Sequence, residues 1–270
     1  MADRSYAEVI GDPVAHSKSP LIHRFWIEAL GLDAEYHATR VEPDQLGAFF
    51  DQRRVDPNWR GCNVTIPHKL AALDHVEDRG GVRATIGAIN TVFREGEALV
   101  GTNTDAAGFF APISGFDFAE KPVTVVGAGG AARAVLFALS RMNVGPVTIL
   151  NRSPLKAAAL LSAFGLKGQA LPLTAPLQPS ALLVNAGALG MQGRPPLALD
   201  LSPLPPDAVV YDLVYAPLVT GLIAEAQDRG LEVVDGLEML VAQAALAFEL
   251  FFGKEPPRDR DDELREVLLG

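Results

Sequence analysis

An apolar run that ends in a glycine-rich turn constrains the fold more than any other feature of the chain. Residues 122–130 read PVTVVGAGG, and helix-forming residues follow from Ala131 to Met142. A second run, PVTILNR at 146–152, is again mostly apolar. A strand is apolar on both sides when both faces of its sheet are covered, which is the usual state of a parallel sheet. The two runs therefore predict a parallel sheet with this turn at the end of one strand.

Strand-like and helix-like segments alternate along the chain. Strands are predicted at 6–11, 34–41, 61–66, 88–93, 98–102, 122–126, 146–152, 180–186, 208–214 and 231–235. Helices are predicted at 20–29, 43–54, 131–142, 154–164 and 218–228, with two more starting at Pro67 and near Asp105. This alternation is the pattern of α/β proteins with parallel strands.

The length of 270 residues favours two domains over one. We predict an α/β domain at 1–105, completed by helices at 237–270. A second α/β domain at 106–236 is predicted to be a Rossmann-like, doubly wound parallel sheet, with a cleft between the two domains. A long apolar helix from Leu237 to Phe252 and a charged helix from Asp259 are expected to pack on the first domain. Two proline-rich stretches, 171–180 and 194–208, are predicted to be surface loops.

The composition excludes several classes of partner. A formal charge of −10 and no cluster of Lys or Arg argue against nucleic acid. No apolar run approaches the roughly 20 residues of a membrane helix, and the N-terminus lacks the apolar core of a signal peptide, so the expected location is the cytoplasm. The one cysteine, Cys62, allows no intramolecular disulfide and is expected to be a core residue in a strand.

The glycine-rich turn also predicts a cofactor. Gly127, Gly129 and Ala132 form the pattern G-x-G-x-x-A between a strand and a helix. In a dinucleotide site these positions give a tight turn, close approach of a pyrophosphate to the backbone, and close contact between helix and strand. The N-terminus of the helix would then face the phosphates with unpaired N–H groups. An ordinary tight turn is the alternative interpretation.

The end of the next strand predicts which dinucleotide binds. An acidic residue there would accept a hydrogen bond from the ribose 2′-hydroxyl of NAD, whereas a guanidinium suits the 2′-phosphate of NADP. The chain has Asn151, Arg152, Ser153 and Lys156 at this place and no acidic residue. The sequence therefore predicts NADP, with solvated side chains at the start of a helix as the alternative.

Two polar clusters in the first half leave their roles open. Ser17 and Ser19 precede a predicted helix, where Ser19 would serve as an N-cap or both hydroxyls would seat a carboxylate. NVTIPHK at 63–69 places Lys69 on the first turn of a predicted helix, where a solvated lysine is the ordinary interpretation. His16 and His23 flank the serines without acidic or cysteine partners at ligand spacing, so no metal is expected.

Several stretches, in this order and spacing, resemble the shikimate dehydrogenase family along essentially the whole chain. They are GDPVAHSKSPLIH (11–23), NVTIPHK (63–69), GAINT (87–91), GTNTD (101–105), GAGGAARA (127–134), NRS (151–153), NAGALGM (185–191), DLVYAPLVT (212–220) and DGLEMLVAQ (235–243). The resemblance implies an oxidoreductase that reduces 3-dehydroshikimate to shikimate with NADPH, in chorismate and aromatic amino acid biosynthesis. The first domain would then bind the substrate and the second the NADP.

The resemblance also implies roles for individual residues. Ser17 and Ser19, with Tyr215 nearby, would hold the substrate carboxylate, and Lys69 with Asp105 would be the catalytic pair. The implied partners of the ring hydroxyls are Asn63, Thr65, Asn90, Asp105 and Gln243. With the glycine turn and the strand end, the expected cofactor-binding residues are Gly127, Ala128, Gly129, Gly130, Ala131, Asn151, Arg152, Ser153, Lys156, Leu213, Gly236 and Met239. Met239 could instead be a plain core residue.

The match departs from the family at two positions. Asn is usual where this chain has Arg24, and Thr is usual where it has Gly187 in NAGALGM. The second departure removes a hydroxyl from a loop expected beside the nicotinamide and predicts a looser loop. A quinate/shikimate dehydrogenase that uses NAD, and a non-catalytic NADPH-binding sensor, are the alternative functions. The chain is expected to be a monomer or a homodimer.

Overall fold

The computed structural model describes residues 4–270 and divides the chain into two compact units. Unit 1 consists of the residues up to Thr104 together with Val241–Gly270, and unit 2 is Asp105–Leu240. The sequence placed these limits after residues 105 and 236. Within the described residues, no helix is long and apolar enough to cross a membrane.

Unit 1 is built on a five-stranded sheet with the order β2-β1-β3-β4-β5. Its strands are β1 Ser5–Gly11, β2 Ala34–Arg40, β3 Trp59–Val64, β4 Thr91–Glu95 and β5 Ala98–Thr102. Its helices are α1 Ser19–Ala29, α2 Leu46–Val55 and α3 Val82–Thr85, with 3-10 turns at Pro43–Gln45 and Ala71–His75. The first three strands are parallel, as predicted, but β4 runs antiparallel to both β3 and β5. A two-residue connection between β4 and β5 can only form a hairpin, because a parallel pair needs a crossover.

The prediction of a helix starting at Pro67 was wrong. The Ile66–Pro67 peptide bond is cis, residues 66–70 form turns, and the following 3-10 helix begins only at Ala71. Proline fits the first turn of a helix, but it fits a tight turn after a strand equally well. Lys69 therefore lies on a turn and not on a helix.

The core of unit 1 packs aromatic side chains against the sheet. His23 and Trp26 of α1 contact Phe248, and the His23 ring stacks on that of Tyr36 with 4.0 Å between centroids. Cys62 is fully buried, which confirms its prediction as a core residue, and burial raises the pKa of its thiol.

The C-terminal segment contributes the last helices. They are α8 Gly236–Phe252 and α9 Asp261–Leu269, with α4 Asp105–Phe110, α5 Gly130–Arg141, α6 Pro154–Ala163 and α7 Gly221–Asp228 between α3 and α8. The division between the units falls inside α8. Arg260, just before α9, lies over the Phe25 ring of α1 with 4.9 Å to the centroid, so α9 packs on unit 1 as expected.

Unit 2 is built on a six-stranded sheet with the order β11-β10-β9-β6-β7-β8. The strands are β6 Val123–Val126, β7 Val147–Asn151, β8 Gly168–Pro172, β9 Leu182–Asn185, β10 Val209–Asp212 and β11 Glu232–Val234. All neighbouring pairs are parallel. From the central β6–β9 pair the strands run outwards in chain order, as β6, β7 and β8 on one side and as β9, β10 and β11 on the other. This is the doubly wound order, so the predicted fold class of two α/β units, one of them Rossmann-like, is confirmed.

Both faces of this sheet are covered, as the apolar strands required. Along β9, Leu182 and Val184 enter one core cluster with α5 and α6, whereas Leu183 between them enters a second cluster with α7. The alternation follows from the pleat of a strand, which points successive side chains to opposite faces.

The interpretation of 171–180 and 194–208 as surface loops needs correction in both cases. Residues 171 and 172 belong to the edge strand β8, in which only Ala170 and Leu171 are half-buried and the other residues are exposed, so no apolar run marks this strand. In the second stretch, Leu197, Leu199, Leu201 and Leu204 are buried in the cluster that α7 also joins. This stretch covers a sheet face where a crossover helix would usually lie, and its prolines hide that role from periodicity.

Candidate active site

Ser17 and Ser19 lie at the end of the connection between β1 and α1. Ser19 is the first residue of α1 and is buried, while Ser17 is partly exposed. The hydroxyl of Ser17 accepts a hydrogen bond from the Ser19 N–H at 3.3 Å. Lys18 occupies the N-cap position and makes no side-chain cap bond, so the interpretation of Ser19 as the N-cap is wrong. The other interpretation, a seat for a carboxylate formed by two hydroxyls beside a helix N-terminus, stays a prediction.

A chain of buried hydrogen bonds links three of the predicted substrate residues. The Tyr36 hydroxyl donates to Asn63 Oδ1 at 2.6 Å, and Asn63 Nδ2 donates to Thr91 Oγ1 at 3.3 Å. Thr91 in turn donates to Asn90 Oδ1 at 3.2 Å, and Asn90 Nδ2 donates to Gln243 Oε1 at 3.1 Å. Asn63, Asn90 and Gln243, which are distant in sequence, are thus held in one network.

The same network reaches the residue before Asp105. The Thr104 N–H donates to Asn90 Oδ1 at 2.7 Å, and Asn90 Nδ2 donates to Thr104 Oγ1 at 2.8 Å. Asp105 follows as the first residue of α4 and is buried. Thr91 and Thr104 were missed as site residues although both lie in the matched stretches GAINT and GTNTD. Tyr36 carried no local signal, since nothing in AEYHATR indicates its partner on β3.

The turn that carries Lys69 is anchored at both ends. The Thr65 N–H donates to the Ile10 carbonyl at 2.9 Å, and the Ile89 N–H donates to the Lys69 carbonyl at 2.7 Å. His68, which is buried, contacts the Val41 carbonyl through Nε2 at 2.7 Å. Lys69 itself is half-buried, so its amine is not on a freely solvated helix surface. Through Ile89, the backbone of Lys69 is joined to the segment that leads through Asn90 into β4.

His23 is buried, and burial lowers its pKa to about 3 because the imidazolium form would lose its hydration. It therefore packs as a neutral ring. Among the described residues, no group of three His, Cys, Asp or Glu side chains could hold a metal ion.

The glycine turn of unit 2 has the geometry expected of a dinucleotide site. Gly127 has φ +105, and a Cβ there would lie 3.1 Å from the backbone of Ala186 and Gly187, so only glycine fits. Gly129 has an ordinary φ of −92, and a Cβ there would have no heavy atom within 4 Å. Ala132 is fully buried between helix and sheet. The protein itself therefore requires no glycine at 129, and the open backbone there fits a bound phosphate.

The other predicted cofactor residues of this region lie in the glycine turn, at the start of α5 and at the end of β7. Ala128 is buried under the turn, and Gly130 and Ala131 are the first residues of α5. Asn151 ends β7 and donates through Nδ2 to the Ser153 carbonyl at 3.0 Å. Arg152 and Lys156 are exposed, and neither forms an ion pair with any residue in the described part of the chain. Both cations are therefore available for a phosphate.

The remaining predicted cofactor residues are Leu213, in the loop after β10, and Gly236 and Met239 at the start of α8. Leu213 is half-buried, as is Tyr215. A Cβ at Gly236 would lie 2.6 Å from the Leu213 and Val214 carbonyl oxygens, so glycine allows this close approach. Met239 is buried in the core of unit 2. The loop after β9 starts from Asn185 and the loop after β10 starts from Asp212. Both residues are buried, and the sequence did not single them out.

The two departures from the family pattern have modest structural effects. Arg24 donates through Nε to the Tyr36 carbonyl on the edge strand β2 at 3.0 Å. At Gly187 an added Cβ would meet its nearest atom, Asn185 Oδ1, at 3.4 Å, so space exists for a larger residue. The Gly187 N–H donates to that same oxygen at 3.1 Å, which fixes the loop without a threonine.

Comparison with known proteins identifies the family. The model described as "Shikimate dehydrogenase substrate binding domain" matches residues 9–92, "Shikimate / quinate 5-dehydrogenase" matches 111–178, and "Shikimate 5'-dehydrogenase C-terminal domain" matches 236–261. The "Shikimate dehydrogenase (NADP(+))" of Sphingopyxis alaskensis is 63% identical over 265 residues, which cover 98% of this chain and 97% of that protein. The chain belongs to the shikimate dehydrogenase family. The predicted resemblance is confirmed.

Solved structures agree with this assignment. The shikimate 5-dehydrogenase of Thermus thermophilus, solved in complex with NADP(H) and shikimate, is 39% identical with a TM-score of 0.86 and covers 97% of this chain and 99% of its own. The quinate dehydrogenase of Corynebacterium glutamicum, solved with NAD, has the same TM-score of 0.86 at 29% identity, with 99% of each chain covered. Fold alone therefore does not distinguish the two activities.

Proposed function

We propose that the protein catalyses the reversible reduction of 3-dehydroshikimate to shikimate with NADPH, a step towards chorismate and the aromatic amino acids. The observation that carries this proposal is the 63% identity, along nearly the whole chain, to an NADP(+)-dependent shikimate dehydrogenase. Unit 1 would bind the substrate, and unit 2 the cofactor. The cytoplasmic location and the choice between monomer and homodimer stay predictions.

The residues of unit 1 suit a small polyhydroxylated acid. Ser17 and Ser19, beside the N-terminus of α1, offer hydroxyl and backbone donors for a carboxylate. Asn63, Asn90 and Gln243 offer amides whose orientation is fixed by the buried network, and Thr65 adds a hydroxyl at the end of β3. Amides that are already oriented bind ring hydroxyls with less loss of entropy.

Lys69 and Asp105 are the proposed catalytic pair. When bound, NADPH supplies the hydride that converts the ketone to an alcohol. Negative charge then develops on the carbonyl oxygen, and the Lys69 ammonium group would stabilise that charge and donate the proton. In the reverse direction, neutral Lys69 would accept the proton of the hydroxyl. Asp105 would orient the amine and the neighbouring hydroxyl.

The cofactor residues proposed in unit 2 favour NADP over NAD. The open backbone at Gly129 and the start of α5 would receive the pyrophosphate. Asn151, Arg152, Ser153 and Lys156 would surround the 2′-phosphate, which a carboxylate at this place would repel. Leu213, Gly236 and Met239 are proposed to lie near the nicotinamide.

Quinate oxidation with NAD is the alternative that the fold permits, because a quinate dehydrogenase shares the fold. Absence of an acidic residue at 151–156 argues against NAD. A non-catalytic NADPH sensor would need neither Lys69 nor Asp105, so their presence in matched motifs argues against it.

The test is an absorbance assay at the nicotinamide band with shikimate or quinate against NADP+ or NAD+. We expect the highest kcat/KM for the pair of shikimate and NADP+. Higher values with quinate, or with NAD+, would replace the proposed substrate or cofactor. No turnover with any pair, together with tight NADPH binding, would favour the sensor.

A further inference from the structure

Strand β10 of the six-stranded sheet ends in a buried carboxylate. Asp212, the last residue of β10, is fully buried. Its Oδ1 accepts hydrogen bonds from Asn185 Nδ2 at 2.9 Å and from the Val214 N–H at 3.0 Å. Its Oδ2 accepts one from Thr220 Oγ1 at 2.6 Å. One carboxylate thus collects three donors from three different segments of unit 2.

Each donor holds a segment of its own. Asn185 ends β9, donates to the Leu189 carbonyl at 3.1 Å and accepts from the Gly187 N–H at 3.1 Å, so the loop 186–190 is built around its amide. Thr220 is the N-cap of α7 and accepts from the Ile223 N–H at 3.2 Å. Val214 is the second residue of the loop between β10 and α7.

The carboxylate is costly at this place, so packing alone does not explain it. Burial raises the pKa of Asp212 above its ordinary value, although the hydrogen bonds from Thr220, Val214 and Asn185 partly oppose the rise. Within the described residues no Lys, Arg or His forms an ion pair with Asp212. An apolar residue would fit the end of a strand whose other residues, Val209 to Tyr211, are all buried.

Both loops that Asp212 joins are expected to contact the ligands. The proposed function places Leu213 near the nicotinamide, and the family resemblance implies Tyr215 near the substrate carboxylate and Gly187 beside the nicotinamide. Leu213 and Tyr215 flank Val214, whose N–H is bound to the carboxylate. The loop of Gly187 emerges beside Gly127, since a Cβ on Gly127 would lie 3.1 Å from the Gly187 nitrogen. Both loops leave the carboxyl ends of neighbouring strands, which is where ligands bind in doubly wound sheets.

We propose that Asp212 is a positioning residue, which through Asn185, Val214 and Thr220 holds the 186–190 and 213–220 loops in the geometry that binds NADP(H) and places Tyr215. The proposal rests on the proposed function for the roles of Leu213 and Tyr215. It also explains how the loop tolerates Gly187, since the Asn185 amide that Asp212 orients binds the Gly187 backbone directly.

The direct test is Asp212→Asn, which keeps the size of the side chain but turns an NH2 group towards at least one of the three donors. We expect KM for NADP+ to rise and kcat to fall, so that kcat/KM drops about 10- to 100-fold, the range for a small misplacement of binding groups. Thr220→Val should lower kcat/KM in the same direction but less, and Thr220→Ser, which keeps the hydroxyl, should restore it. If Asp212→Asn does not fold, the Thr220 pair decides alone.

Asp200→Asn is the matched control. Asp200 also accepts a hydrogen bond from a backbone N–H two residues ahead, that of Ser202 at 2.8 Å, but it is exposed, and in the described part of the chain its side chain hydrogen-bonds to Ser202 alone. Its replacement should leave KM for NADP+ and kcat unchanged. Equal losses from Asp200→Asn and Asp212→Asn would overturn the proposal.

Amide hydrogen exchange separates positioning from general loss of structure. In Asp212→Asn, exchange should accelerate at Gly187 and Val214 while the amides of β6 and β7 keep the parent rates. Acceleration spread evenly over the sheet, or unchanged KM and kcat in both Asp212→Asn and Thr220→Val, would refute the positioning role. If the parent chain shows no turnover, the proposed function fails instead. Calorimetric affinity for NADP+ and loop exchange in the variants then still decide the role of Asp212.

Discussion

Replacement of two glycines in the same turn by alanine is expected to affect different properties: the stability of the protein for Gly127 and the affinity for NADP+ for Gly129. Gly127 has φ +105 and lies 3.1 Å, at its virtual Cβ, from the Ala186 and Gly187 backbone. Gly129 has φ −92 and open space around its virtual Cβ. The first glycine is therefore required by the protein, and the second is required only if a ligand approaches the backbone.

The magnitudes follow from these two geometries. Gly127→Ala forces a side chain into a backbone region that costs about 1–3 kcal/mol, with close contacts added. Gly129→Ala should leave the free energy of unfolding unchanged or raise it by up to about 1 kcal/mol, because alanine restricts the unfolded chain. The new methyl group would displace a pyrophosphate from the backbone donors. Losing one hydrogen bond to a charged group costs about 1.5–3 kcal/mol, or roughly 10- to 100-fold in the Kd for NADP+.

The assay pairs urea unfolding, followed by circular dichroism, with calorimetric titration of NADP+. Gly115→Ala is the control, since Gly115 has equally open surroundings and an ordinary φ but lies outside the turn. It should leave the affinity for NADP+ unchanged, and it should leave the free energy of unfolding unchanged or raise it by up to about 1 kcal/mol, as expected for Gly129→Ala. Normal NADP+ affinity in Gly129→Ala would show that no phosphate approaches this backbone, and equal stability of Gly127→Ala and Gly129→Ala would refute the steric reasoning.

Three further predictions concern single side chains. Lys69→Ala should lower kcat for shikimate oxidation by at least about 100-fold with shikimate still bound, because the group that accepts the hydroxyl proton is lost, while exposed Lys121→Ala should be neutral; near-normal turnover would remove Lys69 from the mechanism. Arg152→Ala should weaken NADP+ much more than NAD+ in the same titration, and equal losses would contradict the 2′-phosphate assignment. His23, with a folded pKa of about 3 against 6.5 unfolded, contributes stability that is fully present above pH 6.5 and is lost as pH falls towards 3. His23→Phe should therefore abolish about 2 kcal/mol of the loss in unfolding free energy between pH 7 and pH 5. The measurement is urea unfolding of the parent and the variant at both pH values, and an equal loss in the two proteins would speak against a neutral buried ring.

Most of the fold could be predicted from the sequence, because its signals are local. The alternation of strands and helices, the apolar strands 123–126 and 147–150, and the start of α6 at Pro154 each depend on neighbours within a few residues. Where the same local signal suits two structures, prediction failed. Pro67 begins a turn and not a helix, and the leucines of 194–208 are core residues in a stretch that its prolines mark as a loop.

The candidate site divides along the same line. Gly127, Gly129 and Arg152 could be proposed from the sequence because a tight turn, a ligand approach or a strand end suggests a role within a short window, and their contacts with the cofactor stay predictions. Tyr36, Thr91, Asn185, Asp212 and Thr220 were not, because each acts through a partner far away in the chain, such as Asn63 for Tyr36 and Asp212 for Asn185.

By itself, then, the sequence determined the α/β class, the position of the glycine-rich turn and the identity of the family. Only the tertiary structure decided which side chains hold the site in place. The reason is physical: strand pleat and turn conformation are set by residues adjacent along the backbone. A buried hydrogen bond such as that from Thr220 to Asp212 exists only once the sheet has brought its donor and acceptor within 2.6 Å.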